Sequence, residues 1–100
     1  MIKLTVLYDT PTDPTAFDRH YFDIHVPLAR KVPGLDRIEV TRFAPGPDGA
    51  APRYHLMAEL YFRDQDAMQS ALSSPEGTAL GADTPNLATP LTHLIGSVDA

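Results

Sequence analysis

The spacing of apolar residues switches back and forth between two and three-to-four along this chain, and the order of those switches leaves few folds open. Ile2, Leu4, Val6 and Tyr8 alternate with Lys3, Thr5 and Leu7, which describes a strand with one buried face. From Phe17 to Leu35 the period lengthens. Phe17, Tyr21, Ile24 and Leu28 follow one another at spacings of four, three and four, the stripe of an amphipathic helix. Arg37 to Phe43 alternates again. Tyr54, Leu56, Ala58, Leu60 and Phe62 then form the apolar side of a third strand, with Arg53, His55, Met57, Glu59 and Tyr61 opposite. Met68 and Leu72 point inward from a second helical stretch, and Leu91 to Val98 closes the series as a strand.

The boundaries carry their own chemistry. Asp9 to Pro14 holds two prolines that cannot continue a ladder, and Asp13 is a natural N-cap with Pro14 at the first helical position. Pro27 sits inside the first helix, where its missing N–H frees the carbonyl of Asp23 and predicts a kink between Asp23 and Leu28. Gly34 stops that helix. Ala44 to Pro52 is a Pro- and Gly-rich connection, expected to be mobile. Asp64 caps the second helix, and Ser74-Pro75-Glu76 restarts a short helical segment to about Ala82. The resulting order, β-α-β-β-α-β, specifies the α+β ferredoxin-like arrangement: a four-stranded antiparallel sheet with its helices on one face.

One hundred residues make one domain, 1–100, with a core too thin to cover every apolar side chain. The second face of the third strand carries Met57 and Tyr61 among charges, so it is expected to meet another surface. Two such sheets stacked face to face give a homodimer, a dimeric α/β barrel. A net charge of −5 and no Lys/Arg cluster longer than Arg30-Lys31 argue against nucleic acid or an anionic membrane as partner. The absence of cysteine excludes disulfides, thiolate metal sites and Cys nucleophiles. No run of apolar residues approaches a membrane span, and a strand-like pattern in place of a signal peptide makes cytoplasmic the expected location.

Candidate chemistry gathers on the first helix. On an ideal helix His25 lies roughly 60° from the centre of the apolar stripe, four residues after Tyr21 and beside the proline kink. A histidine in an apolar cleft with a polar neighbour suits a general acid or base, because its free pKa is near neutral. The plainer alternative is an imidazole satisfying a carbonyl freed by Pro27. His20 falls at the opposite edge of the stripe, where a solvent-edge role competes with a binding one. The His20–His25 spacing of five does not suit a helical metal pair, and no metal site is expected. His55 and His93 lie on separate strands and converge only if they share a face. Tyr8 and Tyr54 close and open apolar strand faces, so each is either core or a hydroxyl that orients a ligand. Asp83, after the second helix, is either a turn residue or a carboxylate at a pocket rim. No nucleophile elbow or phosphate loop is present.

The run KLTVLYDTPTDPTAFDRHYFDIHVPLARKVPGL, the strand RYHLMAELYF and the segment SSPEGTALGADTPNL together resemble the EthD family of small dimeric α/β-barrel proteins. Its most specific parts are Tyr21 to Leu28 with His25-x-Pro27-Leu28, the Pro33-Gly34-Leu35 turn, and Ser74-Pro75-Glu76-Gly77 through Asp83. The resemblance implies a ferredoxin-like protomer that dimerises through its sheet. The family takes its name from a protein needed for degradation of ethyl tert-butyl ether. Related barrels include methylmuconolactone isomerases, cofactor-free monooxygenases and polyketide lyases or cyclases. The isomerases use a helix histidine matching His25 together with a cysteine, which this chain lacks. The family's Asn-Phe after the aspartate is Asn86-Leu87 here.

Three function classes follow. The first is a cofactor-independent enzyme (isomerase, lyase/cyclase or monooxygenase) acting on a small apolar oxygenated molecule. In it His25 serves as acid/base with Tyr8 and Tyr21, and His20, Tyr54 and Asp83 contribute to binding. The second is a non-catalytic small-molecule-binding or accessory protein. The third, a haem-handling barrel, is disfavoured by the missing Trp and the lack of a clear axial ligand.

Overall fold

In a computed structural model, which describes residues 1–99, the expected order of elements is realised. Strand β1 (Ile2–Asp9) is followed by helix α1 (Pro14–His20), a π turn (Tyr21–His25) and helix α2 (Val26–Arg30). Then come β2 (Leu35–Arg42), β3 (Tyr54–Phe62), α3 (Gln65–Ser73), α4 (Pro75–Asp83), a 3₁₀ turn (Thr84–Leu87) and β4 (Leu91–Ser97). The four strands form one antiparallel sheet in the order β2-β3-β1-β4. Among the described residues no helix is long and apolar enough to cross a membrane.

The capping chemistry read from the sequence operates as expected. The Asp13 carboxylate accepts from the Ala16 N–H at 3.1 Å and Asp64 from the Ala67 N–H at 2.8 Å. The Ser74 hydroxyl accepts from the Gly77 N–H at 3.0 Å and opens α4 behind Pro75. Gly34, at φ +82°, makes the left-handed turn into β2 that a side chain would strain. The Ala44–Pro52 connection closes on itself: Gly49 N–H donates to Gly46 and Gly46 N–H to Ala50.

The core lies between sheet and helices. Val6 and Tyr8 of β1 and Leu56, Ala58, Leu60 and Phe62 of β3 meet Phe17, Tyr21, Val26, Ala29, Met68, Ala71 and Leu80. Each large side chain buried there contributes about 1.5–3 kcal/mol. The exposed ion pairs, such as Arg63–Asp64, contribute under about 1 kcal/mol. Apolar packing therefore holds the helix layer on the sheet. Gly77 allows α4 to close on α3, because a Cβ at that position would fall onto the backbone carbonyls of Ala71 and Leu72.

Three local expectations change. Pro27 does not merely kink the helix. The chain widens into a π turn, in which the Val26 N–H bonds the Tyr21 carbonyl five residues back. That extra residue turns Ile24 outward, 46% exposed, so Ile24 leaves the stripe and His25 replaces it, 6% exposed. The register shift between Tyr8 and Asp9 leaves His55 as an extra residue opposite β1. Its imidazole consequently turns to α1, where it meets Asp18 at 2.7 Å and the Phe17 ring edge-on at 5.3 Å, instead of lying on the second sheet face. The strand expected over Arg37–Phe43 begins two residues earlier, at Leu35, and ends at Arg42.

The uncovered sheet face carries the expected mixture of charge and aromatic surface. Lys3 bonds Glu59 at 2.6 Å, the Tyr61 hydroxyl donates to Glu39 at 2.9 Å, and the Arg37 guanidinium lies 3.8 Å above the Tyr61 ring. Leu94, on the same side of edge strand β4, is 53% exposed.

Candidate functional site

Asp83, the last residue of α4, is buried, and three side chains converge on it. His25 Nδ1 lies 2.9 Å from its Oδ2, and His20 Nε2 lies 2.9 Å from Oδ1 and 3.0 Å from Oδ2. The Asn86 amide, on the 3₁₀ turn, donates to Oδ1 at 3.0 Å. Burial by itself would raise the Asp83 carboxyl, but the hydrogen bonds from Asn86, His25 and His20 outweigh it and hold the group below the ordinary aspartate value. Asp83 is therefore a carboxylate, and a carboxylate only accepts. Each imidazole must present a protonated nitrogen to it. For His25 that proton is on Nδ1, so in the neutral ring Nε2 is an acceptor, with no protein partner among the described residues.

That nitrogen belongs to a side chain lining a cavity of about 110 Å³ between helices and sheet. The walls are mostly apolar: Leu4 and Val6 of β1, Ala58 and Leu60 of β3, and Leu72 and Leu80 of the second helical pair. The polar lining comes from Tyr8, Tyr21, His25, Thr84 and His93. The aromatic groups stack in sequence. Phe17 lies parallel to Tyr21 at 5.6 Å, Tyr21 stacks on His25 at 5.3 Å, and Tyr8 meets Tyr21 edge-on at 5.5 Å. Burial pushes both phenols well above their ordinary value, so both keep their protons. Both phenols line the cavity, where a protonated hydroxyl is a donor for a ligand oxygen.

Of the residues singled out in the sequence, the structure places His25, Tyr21 and Tyr8 on the cavity wall. His20 and Asp83 stand behind His25, away from the lining, and Tyr54 belongs to neither group, since its ring meets Arg53 at the start of β3. His20 is not a solvent-edge residue but half-buried against Asp83. Asn86 and His93 were not expected at the site. The register of β4 on β1, His93 opposite Val6, is what sets His93 on the helix-facing side. Among the described residues no three His, Asp or Glu side chains are arranged to hold a metal ion.

A ferredoxin-like α+β fold with a carboxylate-locked imidazole facing a small apolar cavity defines the class. A model of the EthD domain matches residues 9–90, and the chain belongs to the EthD family. It is 40% identical over 92 residues to an uncharacterised 11.0 kDa protein encoded in the thcB–thcC intergenic region of Rhodococcus erythropolis, covering 88% of this chain and 84% of that one. An ethyl tert-butyl ether degradation (EthD) family protein from Bacillus halodurans superposes with a TM-score of 0.91 at 42% identity, over 99% of both chains. SnoaB, a cofactor-independent oxygenase from Streptomyces nogalater, shares the fold at 17% identity and a TM-score of 0.73, over 99% of this chain and 93% of that one.

Proposed function

We propose that this protein is a cofactor-independent enzyme in which His25 is the general acid/base for a small, mostly apolar, oxygenated molecule. One observation carries the reading. Asp83 holds Nδ1 of His25, and the ring, 6% exposed, lines the cavity with no protein hydrogen-bond partner on its other nitrogen among the described residues. A base so oriented needs no rearrangement before it accepts a proton. Tyr8 supplies a hydrogen-bond donor for an oxygen that gains charge as the proton leaves. The cofactor-independent oxygenase on the same fold supports a site whose own side chains carry the chemistry. The molecule is read as a homodimer through the uncovered sheet face, where Leu94 leaves apolar surface among charges.

The test is deuterium exchange at the carbons flanking the carbonyl of cyclohexanone, followed by NMR in D₂O. The native protein accelerates exchange. His25→Gln abolishes the acceleration while circular dichroism shows the fold retained. Acceleration that survives in His25→Gln defeats the assignment. Cyclohexanone bound without exchange favours the alternative, a protein that holds a metabolite without converting it.

A further inference from the structure

Three of the four histidines are paired with a carboxylate: His20 and His25 with Asp83, and His55 with Asp18. His93 has no hydrogen-bond partner among the described residues, and it lines the same cavity as His25. The two imidazoles occupy opposite walls. His25 descends from the helix layer, and His93 rises from β4 beside Val6, on the sheet. Their surroundings are unequal. His25 is buried and held as an acceptor by Asp83, whereas His93 is exposed at the cavity mouth, where water can return a proton to it.

The cavity that both line is about 110 Å³ and mostly apolar, somewhat smaller than the ~150 Å³ cavity that admits a benzene ring, so it takes a single ring at most. A single ring placed there presents one carbon to His25 and another to His93, with an oxygen available to Tyr8. Removing a proton on one side and adding one on the other is useful only where the two carbons are joined by a conjugated system. We infer that His93 is a second proton-transfer residue, and that the site takes a single-ring β,γ-unsaturated ketone and moves its double bond into conjugation. This rests on His25 acting as the base.

The step balances without an oxidant. The C–H bond at the α carbon breaks and its proton goes to Nε2 of His25. The electron pair forms a dienolate whose oxygen accepts a hydrogen bond from Tyr8. A C–H bond then forms at the γ carbon with the proton of the His93 imidazolium, and the carbonyl is restored. His25 leaves the cycle protonated and His93 neutral, and both reset through water after product departs. The carbon skeleton and its oxidation level are unchanged.

The probe is 3-cyclohexen-1-one in D₂O, with NMR following both the loss of α protons and the appearance of 2-cyclohexen-1-one. The native protein forms the conjugated ketone with deuterium at the γ carbon. His93→Gln and His93→Asn, on an exposed strand, lower isomerisation by about a hundredfold or more beyond any change in α-proton exchange measured on the same protein. Isomerisation that is unchanged in both His93 variants overturns the inference while leaving His25 as the base. Exchange of cyclohexanone by native protein without any isomerisation of the probe overturns it as well. If His25→Gln retains exchange, the failure lies in the base assignment itself.

Discussion

The carboxylate of Asp83 lies 2.9 Å from Nδ1 of His25, and the two residues come from different helical pairs, 58 positions apart in the chain. The contact decides a tautomer as well as a position. Asp83→Asn preserves shape but presents an amide, which can donate as well as accept, so the proton is no longer compelled to Nδ1. The expected result is a fall in cyclohexanone exchange of about a hundredfold or more, with the fold retained. Nitrogen-15 shifts of the His25 ring check the cause directly: Nδ1 reads as protonated in the native protein and as a mixture in the variant.

Acid stability tests the same carboxylate independently of activity. The folded-state pKa of Asp83 is depressed, so its contribution to stability is complete above the ordinary aspartate value. It is lost as pH falls through the lower, folded-state value. Urea denaturation across this acidic window is expected to show a loss of stability in the native protein that is smaller in Asp83→Asn, because the variant lacks the titrating group. At neutral pH the variant is the less stable by about 1–3 kcal/mol, since buried donors lose their charged acceptor. Parallel pH profiles for the two proteins would remove Asp83 from the explanation.

The order of elements and their caps were legible in the sequence, because alternation, Asp13, Asp64 and Ser74 each act locally. The site was legible only in part. His25, Tyr21 and Tyr8 stand out on composition and period, but the rest depends on long-range geometry. His20 and His25 are five residues apart, a spacing that separates side chains on an α-helix and brings them together where a π turn adds a residue. Pro27 marked a disturbance there without saying that it would be absorbed as a wider turn. Asn86 reaches Asp83 locally, three residues on, but Asp83 reaches His20 and His25 only through the packing of the helical pairs, and His93 reaches the cavity through the register of β4 on β1. Those two relations have no local signature.

Gly77 is expected to tolerate no side chain. It lines the cavity and sits where α4 approaches the last turn of α3, with the Ala71 and Leu72 carbonyls in the place of a Cβ. Gly77→Ala must push the two helices apart, at a cost of about 1–3 kcal/mol in urea denaturation. Gly81→Ala is the control: nothing lies within 4 Å of its Cβ position, so the change should be neutral or slightly stabilising. Equal behaviour of the two variants would remove close helix packing as the reason for Gly77.

The proposed sheet-to-sheet dimer makes a separate prediction. Leu94 and Leu7 share the uncovered face with the Lys3–Glu59 pair and Tyr61. Leu94→Lys places a charge where a second sheet would desolvate it, and sedimentation should then report the mass of one chain where the native protein reports two. A native protein that sediments as a monomer, or a Leu94→Lys variant that stays dimeric, places the interface elsewhere or removes it.

The π turn makes the last prediction. Phe17, Tyr21, His25 and Ala29 all face inward, at three successive spacings of four. On an ideal α-helix each such spacing drifts by roughly 40°, so the series would walk off the core. The wider turn absorbs that drift and leaves Ile24 as the surplus residue, pointing to solvent. Deleting Ile24 lets the helix close into ordinary turns while the residues before and after keep their contacts with the sheet. Thermal denaturation should show a folded protein at least as stable as the native one, since a π turn is a poorer geometry than the α-helix it interrupts. His25, now four residues after His20 on an ordinary helix, keeps its place beside Asp83, and cyclohexanone exchange should persist. A deletion variant that is folded but no longer accelerates exchange would mean that the wider turn itself, and not only the inward placing of His25, is required by the site.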